Sequence, residues 1–313
     1  MGPSISPRLF HCLLSVCFLL FLTSCGSSTV HSSSGPQHIQ NVFIIMMENH
    51  NWTGAGANSI QNNPNAPYIN NTLNTLVPMG AHASNYNNPP HMHPSLPNYL
   101  WLEAGTNFGI LNDGPATTHS QSTTMHLVTL LKNAGISWKA YDEGTDGTQC
   151  LFIHWHVPFV FFDDVTNNLD PHSAYCISHI RPFSELYSDL AANTTARYTF
   201  IVPNDCHSMH SSCNGGNQIA QGDEWLSQIV PQILASNAYK NGVLFIIWDE
   251  AEKGDGPIPF IVLSPFAKMG YTNTTYYNHG STLRTVEEIF GVQPLLRDAS
   301  NETDLSDFFR QFP

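Results

Sequence analysis

The run Val42-Phe43-Ile44-Ile45-Met46-Met47, closed by Glu48 and Asn49, decides the fold class. Six apolar residues without polar alternation read as a strand buried on both faces, the habit of parallel sheets covered by helices. Tyr198 to Val202, Val243 to Trp248 and Phe260 to Leu263 share this character. Helical patterns lie between them. The clearest has Asp223 as N-cap and Leu226, Ile229, Val230, Ile233 and Leu234 on one face, at the i, i+3, i+4, i+7, i+8 spacing of an amphipathic helix. Others run from Ser122 to Ala134, stopped by Gly135, and from Ser281 to Phe290, stopped by Gly291; a glycine just past the last turn is a common helix stop. Strands alternating with helices give an α/β fold, with a mainly parallel central sheet flanked by helices. The stretch from Asn49 to Pro94, rich in Asn, Pro and Gly, reads as a long functional loop region.

The 313 residues carry 11 Lys plus Arg against 24 Asp plus Glu, a formal charge of −13, and 42% are hydrophobic. That apolar content supports a core and excludes wholesale disorder. Nucleic acid is excluded as a partner, because binding a phosphate backbone needs clustered Lys and Arg. Leu9 to Leu22 is apolar and follows a single cation, Arg8; too short for a permanent span, it reads as the core of a signal peptide. Its end, Leu22-Thr23-Ser24-Cys25, resembles the lipobox of bacterial lipoproteins. The expectation is therefore a signal peptide over residues 1–24 and a lipid on Cys25. The lipid would anchor the chain to the bacterial envelope, at the outer membrane if the host has two membranes; the competing expectation is ordinary secretion. Residues 25–37 read as a flexible tether and 38–313 as one domain. Beyond Cys12, Cys17 and Cys25 remain Cys150, Cys176, Cys206 and Cys213. An even remainder in an exported chain suggests two disulfides with three possible connectivities, and sequence proximity favours Cys150 with Cys176 and Cys206 with Cys213.

Ligands of open parallel sheets bind beyond the carboxyl ends of the strands. After Met47 come Glu48 and Asn49; after Val202 come Pro203, Asn204, Asp205, Cys206 and His207; after Trp248 come Asp249 and Glu250. One carboxylate after a strand is ordinarily a cap or loop group. Three strand ends in register are harder to explain so, because clustered carboxylates repel unless cations neutralise them. One or two divalent metal ions would resolve the repulsion. A second signal is His91-Met92-His93-Pro94-Ser95-Leu96-Pro97-Asn98-Tyr99, followed by a helix-compatible run. Ser95 would then sit near a helix N-terminus, where backbone N–H groups favour an anion; a plain loop is the bland alternative.

The order of these segments resembles the alkaline-phosphatase superfamily, specifically the phosphoesterase branch of bacterial phospholipases C and acid phosphatases. The residues that carry the resemblance are Met47-Glu48-Asn49, His93 to Tyr99, Pro203-Asn204 with Met209-His210, Gly222 to Leu226, Trp248-Asp249-Glu250 and His279 to Glu287. It implies an alkaline-phosphatase-like fold and a phosphoesterase catalytic domain over residues 38–313. Ser95 would be the nucleophile and Asn98 a phosphate-oxygen contact. Glu48, Asn49, Asp249 and Glu250 would hold the metal that activates Ser95, while His210, Asp223 and His279 would lie at a second metal or phosphate subsite. Relatives commonly show Asp-Met-His-Asp where this chain has Ser208-Met209-His210-Ser211, so two expected carboxylates are absent. Asp205 is inferred to substitute as a metal ligand, and Asn204 and His207 to contact substrate. His93 is counted with the catalytic groups ahead of His91.

A phosphate ester is anionic, and attack on it by a serine needs a deprotonated oxygen and a cation to screen the charge. Ser95 is expected to attack phosphorus in line, giving a phosphoseryl intermediate that water hydrolyses, with His207, His210 or His279 protonating the leaving group. The expected activity is that of a broad-specificity acid-phosphatase-like phosphomonoesterase acting on a small phosphate ester. The alternatives are a phospholipase C-like phosphodiesterase acting on a phospholipid head group and a non-catalytic metal-binding lipoprotein. His119, His126, His154, His156, His172 and His179 have no motif context and read as surface or structural residues.

Overall fold

Eight strands form one sheet: β1 (Asn41–Met47), β2 (Ala81–Ala83), β3 (Trp138–Asp142), β4 (Ile180–Pro182), β5 (Tyr198–Val202), β6 (Gly242–Trp248), β7 (Phe260–Leu263) and β8 (Tyr271–Asn273). Their order is β4-β3-β5-β1-β6-β7-β2-β8. The computed structural model describes residue 2 and residues 39–313 except 55, 72–74 and 152–154. Apart from residue 2, the segment expected to be a signal peptide, Cys25, the expected tether and His154 lie outside the described residues.

The unalternating apolar runs are the middle of this sheet. All of Val42 to Met47, Tyr198 to Val202 and Gly242 to Trp248 is buried, as two helix-covered faces require. β1 pairs in parallel with β5 on one side and β6 on the other. β7 is antiparallel to both β6 and β2, so the sheet is mixed on that side and otherwise parallel. The short strands β2, β3, β4 and β8 carry no distinctive apolar run, and β2 falls within the stretch expected to be loop. That stretch also holds the short helices Pro67–Asn70 and Leu76–Met79.

Three helices matter for the site. Ser95–Ala104 is buried at every residue except Trp101, so it threads the interior. It ends at Gly105, whose φ of +67° favours glycine and where a Cβ would lie 2.4 Å from the Leu296 carbonyl oxygen. The helix over Leu226 to Leu234 is longer than expected, Gln218–Ala235, and its N-cap is Asn217, whose side chain accepts from the Ala220 amide. The expected cap, Asp223, is therefore a mid-helix residue. Gly222 in this helix has no room for a side chain, because a Cβ would meet Met209 at 2.3 Å; the close approach seats the 204–211 turn. His279–Phe290 opens with a capping box of Asn278 and Ser281 and closes at Gly291. The helix expected from Ser122 is shorter, Leu127–Asn133. Both expected disulfides are present, Cys150–Cys176 and Cys206–Cys213. Among the described residues no helix is long and apolar enough to cross a membrane.

Candidate active site

Register brings the functional groups together. Met47 pairs with Trp248 across β1 and β6, so Glu48 and Asp249 leave the sheet side by side, tied by the Asp249 amide to the Met47 carbonyl at 3.0 Å. Ile45 pairs with Ile201, so β5 runs out beside Glu48, and the Glu48 amide donates to the Ser208 carbonyl at 2.9 Å. Ser95, at the first turn of the interior helix, reaches this edge: its Oγ donates to Glu48 Oε2 at 3.0 Å. Four residues on, Tyr99 donates to the other oxygen, Oε1. His156 Nε2 stands 3.4 Å from the same oxygen, and its ring stacks on Tyr99 at 5.1 Å. Glu48 is thus gripped on both oxygens.

Asp249 accepts from the Asn49 backbone amide at 3.0 Å through Oδ1, while its Oδ2 is buried without a partner. The Asn49 carboxamide lies 3.2 Å from both Asp249 Oδ1 and Glu250 Oε1. With its NH2 turned toward them it donates to both; reversed, it adds another oxygen to the set. Glu250 Oε2 meets His93 Nδ1 at 2.6 Å. His93 Nε2 is 3.0 Å from the Gly254 carbonyl.

These carboxyls resist ionisation. Glu48 lies well above the usual carboxylate range, first because it is buried and then because Asp249 is beside it. Burial lifts Asp249 to about 6, and burial followed by Asp249 and Asp113 lifts Glu250 to about 9. No Lys or Arg offsets them in the hydrogen bonds and ion pairs among the described residues. Among those residues no group of three or more His, Cys, Asp and Glu is arranged to enclose a metal ion. The donor chemistry nevertheless fits a hard divalent cation, because Glu48, Asp249 and Glu250 crowd together with one oxygen orphaned and a carboxamide between them.

Other expected site residues have different employment. Both Asp223 oxygens accept backbone amides, from Tyr68 and Ile69 at 2.9 Å, so Asp223 caps the Pro67–Asn70 helix. His279 is fully buried, with Nε2 2.5 Å from the Asp249 carbonyl and Nδ1 3.2 Å from the Tyr86 hydroxyl. Burial lowers its pKa to about 4, so the neutral ring holds the Asp249 main chain and presents no free nitrogen to a phosphate. Asn98 donates to the Met92 and Pro94 carbonyls at 3.0 and 3.2 Å and toward Glu250 at 3.4 Å; it fastens the segment before Ser95. Asn204 folds its own turn by accepting from the Cys206 and His207 amides, and His207 Nδ1 meets Glu143 at 2.7 Å. Asp205 lines the cleft at the carboxyl ends of β3 and β5, next to the end of β1, and its charge reaches Tyr99. His210 is exposed, with its ring 6.2 Å from that of His156. The helix N-terminus expected to favour an anion is partly taken, since Asp113 accepts the Leu96 amide at 3.0 Å.

Sequence reading missed His156, Tyr99, Asp113 and Glu143. Only Tyr99 carried a usable signal, since it follows Ser95 by one helical turn and must share its face. His126, expected to be surface or structural, is structural and buried: it bridges Glu103 at 2.8 Å and Asp164 at 3.0 Å.

Comparison with known proteins gives the family and the fold. Residues 84–293 match the phosphoesterase family. The chain is 28% identical over 278 residues to a phosphatidylinositol-3-phosphatase of Mycobacterium tuberculosis, covering 86% of this chain and 82% of that protein. It is 26% identical to a probable acid phosphatase of Kluyveromyces lactis, covering 78% of this chain and 56% of that one. In fold it resembles a Vibrio parahaemolyticus protein of the alkaline phosphatase superfamily, with a TM-score of 0.55 at 13% identity over 86% of this chain and 72% of the other. The chain belongs to the phosphoesterase family and is a phosphoric ester hydrolase with an alkaline-phosphatase-like α/β fold.

Proposed function

We propose that this phosphoesterase hydrolyses phosphate monoesters by a double displacement in which Ser95 Oγ is the nucleophile. The observation that carries the reading is the 3.0 Å hydrogen bond from Ser95 Oγ to Glu48, at a strand edge where Asp249 and Glu250 converge. Glu48, Asn49, Asp249 and Glu250 are the residues that would hold a divalent cation beside Ser95. When bound, such a cation lowers the hydroxyl pKa and screens the charge of the incoming phosphate. Glu48 fixes the direction of Oγ, and Tyr99 and His156 fix Glu48. Asn98 and the His93–Glu250 pair fix the segment that carries Ser95. In the first displacement the Ser95 Oγ–phosphorus bond forms as the ester P–O bond breaks, and the Oγ proton passes by way of Glu48 and solvent to the oxygen of the leaving alcohol. In the second, water attacks the phosphoseryl group, frees inorganic phosphate and returns the proton to Oγ.

The monoester reading is favoured over the diester reading by the relative acting as a phosphatidylinositol-3-phosphatase. Hydrolysis of an aryl phosphate and an aryl phosphocholine, with metal analysis of the same preparation, tests both. Turnover of the aryl phosphate with a bound divalent metal supports the proposal; turnover confined to the phosphocholine ester replaces it with a diesterase, and turnover of neither sinks it. Ser95→Ala should keep the fold and bound metal and abolish turnover. Residual hydrolysis at the wild-type rate would refute the nucleophile assignment. For location, the lipobox-like Leu22 to Cys25 segment supports export with acylation at Cys25, and two disulfides suit an oxidising compartment. Metabolic labelling with palmitate, lost in Cys25→Ser, is the test.

A further inference from the structure

Beside the candidate active site, at the carboxyl ends of β3 and β5, lies a cleft of about 330 Å³ lined by Asp142, Gly144, Val202, Pro203, Asn204, Asp205 and Cys206. Its walls are largely apolar, supplied by Val202, Pro203 and Cys206, and its charged groups are two aspartates. Asp142 is 2% exposed. Its Oδ1 accepts the Gly144 amide at 2.8 Å, but its Oδ2 has no hydrogen-bond partner. A buried carboxylate oxygen without a donor costs free energy that a ligand donor could recover. Burial accordingly holds Asp142 up at about 6.

Neighbouring cations do not serve this purpose. Lys139 pairs with Asp189, Arg181 with Glu185, and His207 with Glu143. The cleft also adjoins the reaction centre. Asn204 and Asp205 follow β5 next to Glu48, the Glu48 amide bonds the Ser208 carbonyl in the same turn, and the Asp205 charge is felt at Tyr99.

We propose that this cleft receives the alcohol portion of the substrate and selects alcohols that carry a protonated amine, which Asp142 and Asp205 pair with. A small ammonium on a two- or three-carbon stem matches the combination of apolar wall and acidic floor. A second anion on the alcohol is repelled. The inference rests on the phosphomonoesterase reading, and it adds which esters that activity prefers.

The test compares phosphoethanolamine, its neutral isostere propyl phosphate and its anionic isostere phosphoglycolate, with an aryl phosphate as a check on hydrolysis itself. A charge-assisted hydrogen bond to a buried carboxylate should favour phosphoethanolamine over propyl phosphate by about tenfold or more in kcat/KM, chiefly through KM. Phosphoglycolate should be the poorest of the three. In Asp142→Asn, which keeps an acceptor for the Gly144 amide, the preference should fall toward unity. Equal kcat/KM for the amine and its neutral isostere in the wild type overturns the proposal, as does a preference that Asp142→Asn leaves intact. Binding of ethanolamine against propanol to the wild-type protein, followed by ligand-observed NMR, reads the cleft without turnover and without the variant; equal binding overturns the proposal. Failure to hydrolyse any ester while ethanolamine still binds selectively would instead overturn the hydrolase reading and leave the cleft standing.

Discussion

Replacing Tyr99 with Phe removes one oxygen atom and tests whether Glu48 must be held for the reaction. The ring itself is structural: it stacks on His156 at 5.1 Å and meets Phe200 edge-on at 6.4 Å, contacts that Phe preserves. What disappears is the hydroxyl that donates to Glu48 Oε1, between two residues with no solvent exposure. Water has no access to replace it, so Oε1 keeps only the longer approach of His156 at 3.4 Å. A hydrogen bond to a charged group contributes about 1.5–3 kcal/mol. If all of it is felt while Ser95 is attacking phosphorus, kcat falls about 10- to 100-fold, since about 1.4 kcal/mol is a factor of ten. KM should hardly move, because Tyr99 is behind Glu48 and touches no substrate. The assay is steady-state hydrolysis of an aryl phosphate, with circular dichroism confirming the fold. A kcat within about twofold of wild type in the folded variant would refute the claim that Tyr99 holds Glu48 for catalysis; a rise in KM alone would move Tyr99 into substrate binding.

Other consequences are separately testable. Asp223→Ala strips the cap from two amides of the Pro67–Asn70 helix and should lower stability by about 1–2 kcal/mol in urea unfolding while kcat stays near wild type; loss of metal together with kcat would instead return Asp223 to the catalytic set. His126→Ala leaves Glu103 buried without its partner and should cost about 3–5 kcal/mol, read as a lower unfolding midpoint, whereas an unchanged midpoint would mean the pair carries no stability. Glu287, raised by burial from 4.5 to about 8, is protonated in both states below pH 4.5. As pH rises toward 8 the unfolded chain ionises first, so stability falls across that window, by at most about 5 kcal/mol. The difference in stability between Glu287→Gln and wild type should therefore grow in favour of the variant from pH 5 to pH 9, and a pH-independent difference would remove Glu287 as the cause.

The sheet was legible because its central strands are buried on both faces and so lack alternation. Reading which residues follow Met47, Val202 and Trp248 then located Glu48, Asp249 and Glu250, since parallel neighbours end together. Edge strands such as β4 and β8 are three residues long and half exposed, and no periodicity survives at that length. Side-chain employment was less legible for a related reason. Asp223 carries the same carboxylate as Asp249, and only the tertiary approach of the Pro67–Asn70 helix makes it a cap. His156 shares no strand or helix with the site residues; it arrives from a loop far along the chain, and nothing local distinguishes it from His172 or His179. His279 was read in the correct neighbourhood, and its seat against the Asp249 main chain was not legible, because sequence cannot say that a ring is sealed from water on all sides.

The acidic balance of the chain acquires a meaning at the strand ends. A carboxylate that serves the fold is satisfied by it: Asp223 receives two amides, and Asp164 receives Thr129 and His126. Asp249 and Glu250 differ, since one keeps a buried oxygen without a donor and the other is lifted to about 9. The register of β1 and β6 forces them beside Glu48, and no Lys or Arg answers them in the contacts of that set. Such an arrangement lowers stability, because a buried carboxyl crowded by its neighbours either ionises at a cost or stays neutral with an oxygen unsatisfied. Hydrophobic burial along β1, β5 and β6 offsets that cost without explaining it. A cluster that the fold supports at its own expense, beside the serine hydroxyl bonded to Glu48, is what the proposed attack on a phosphate would use.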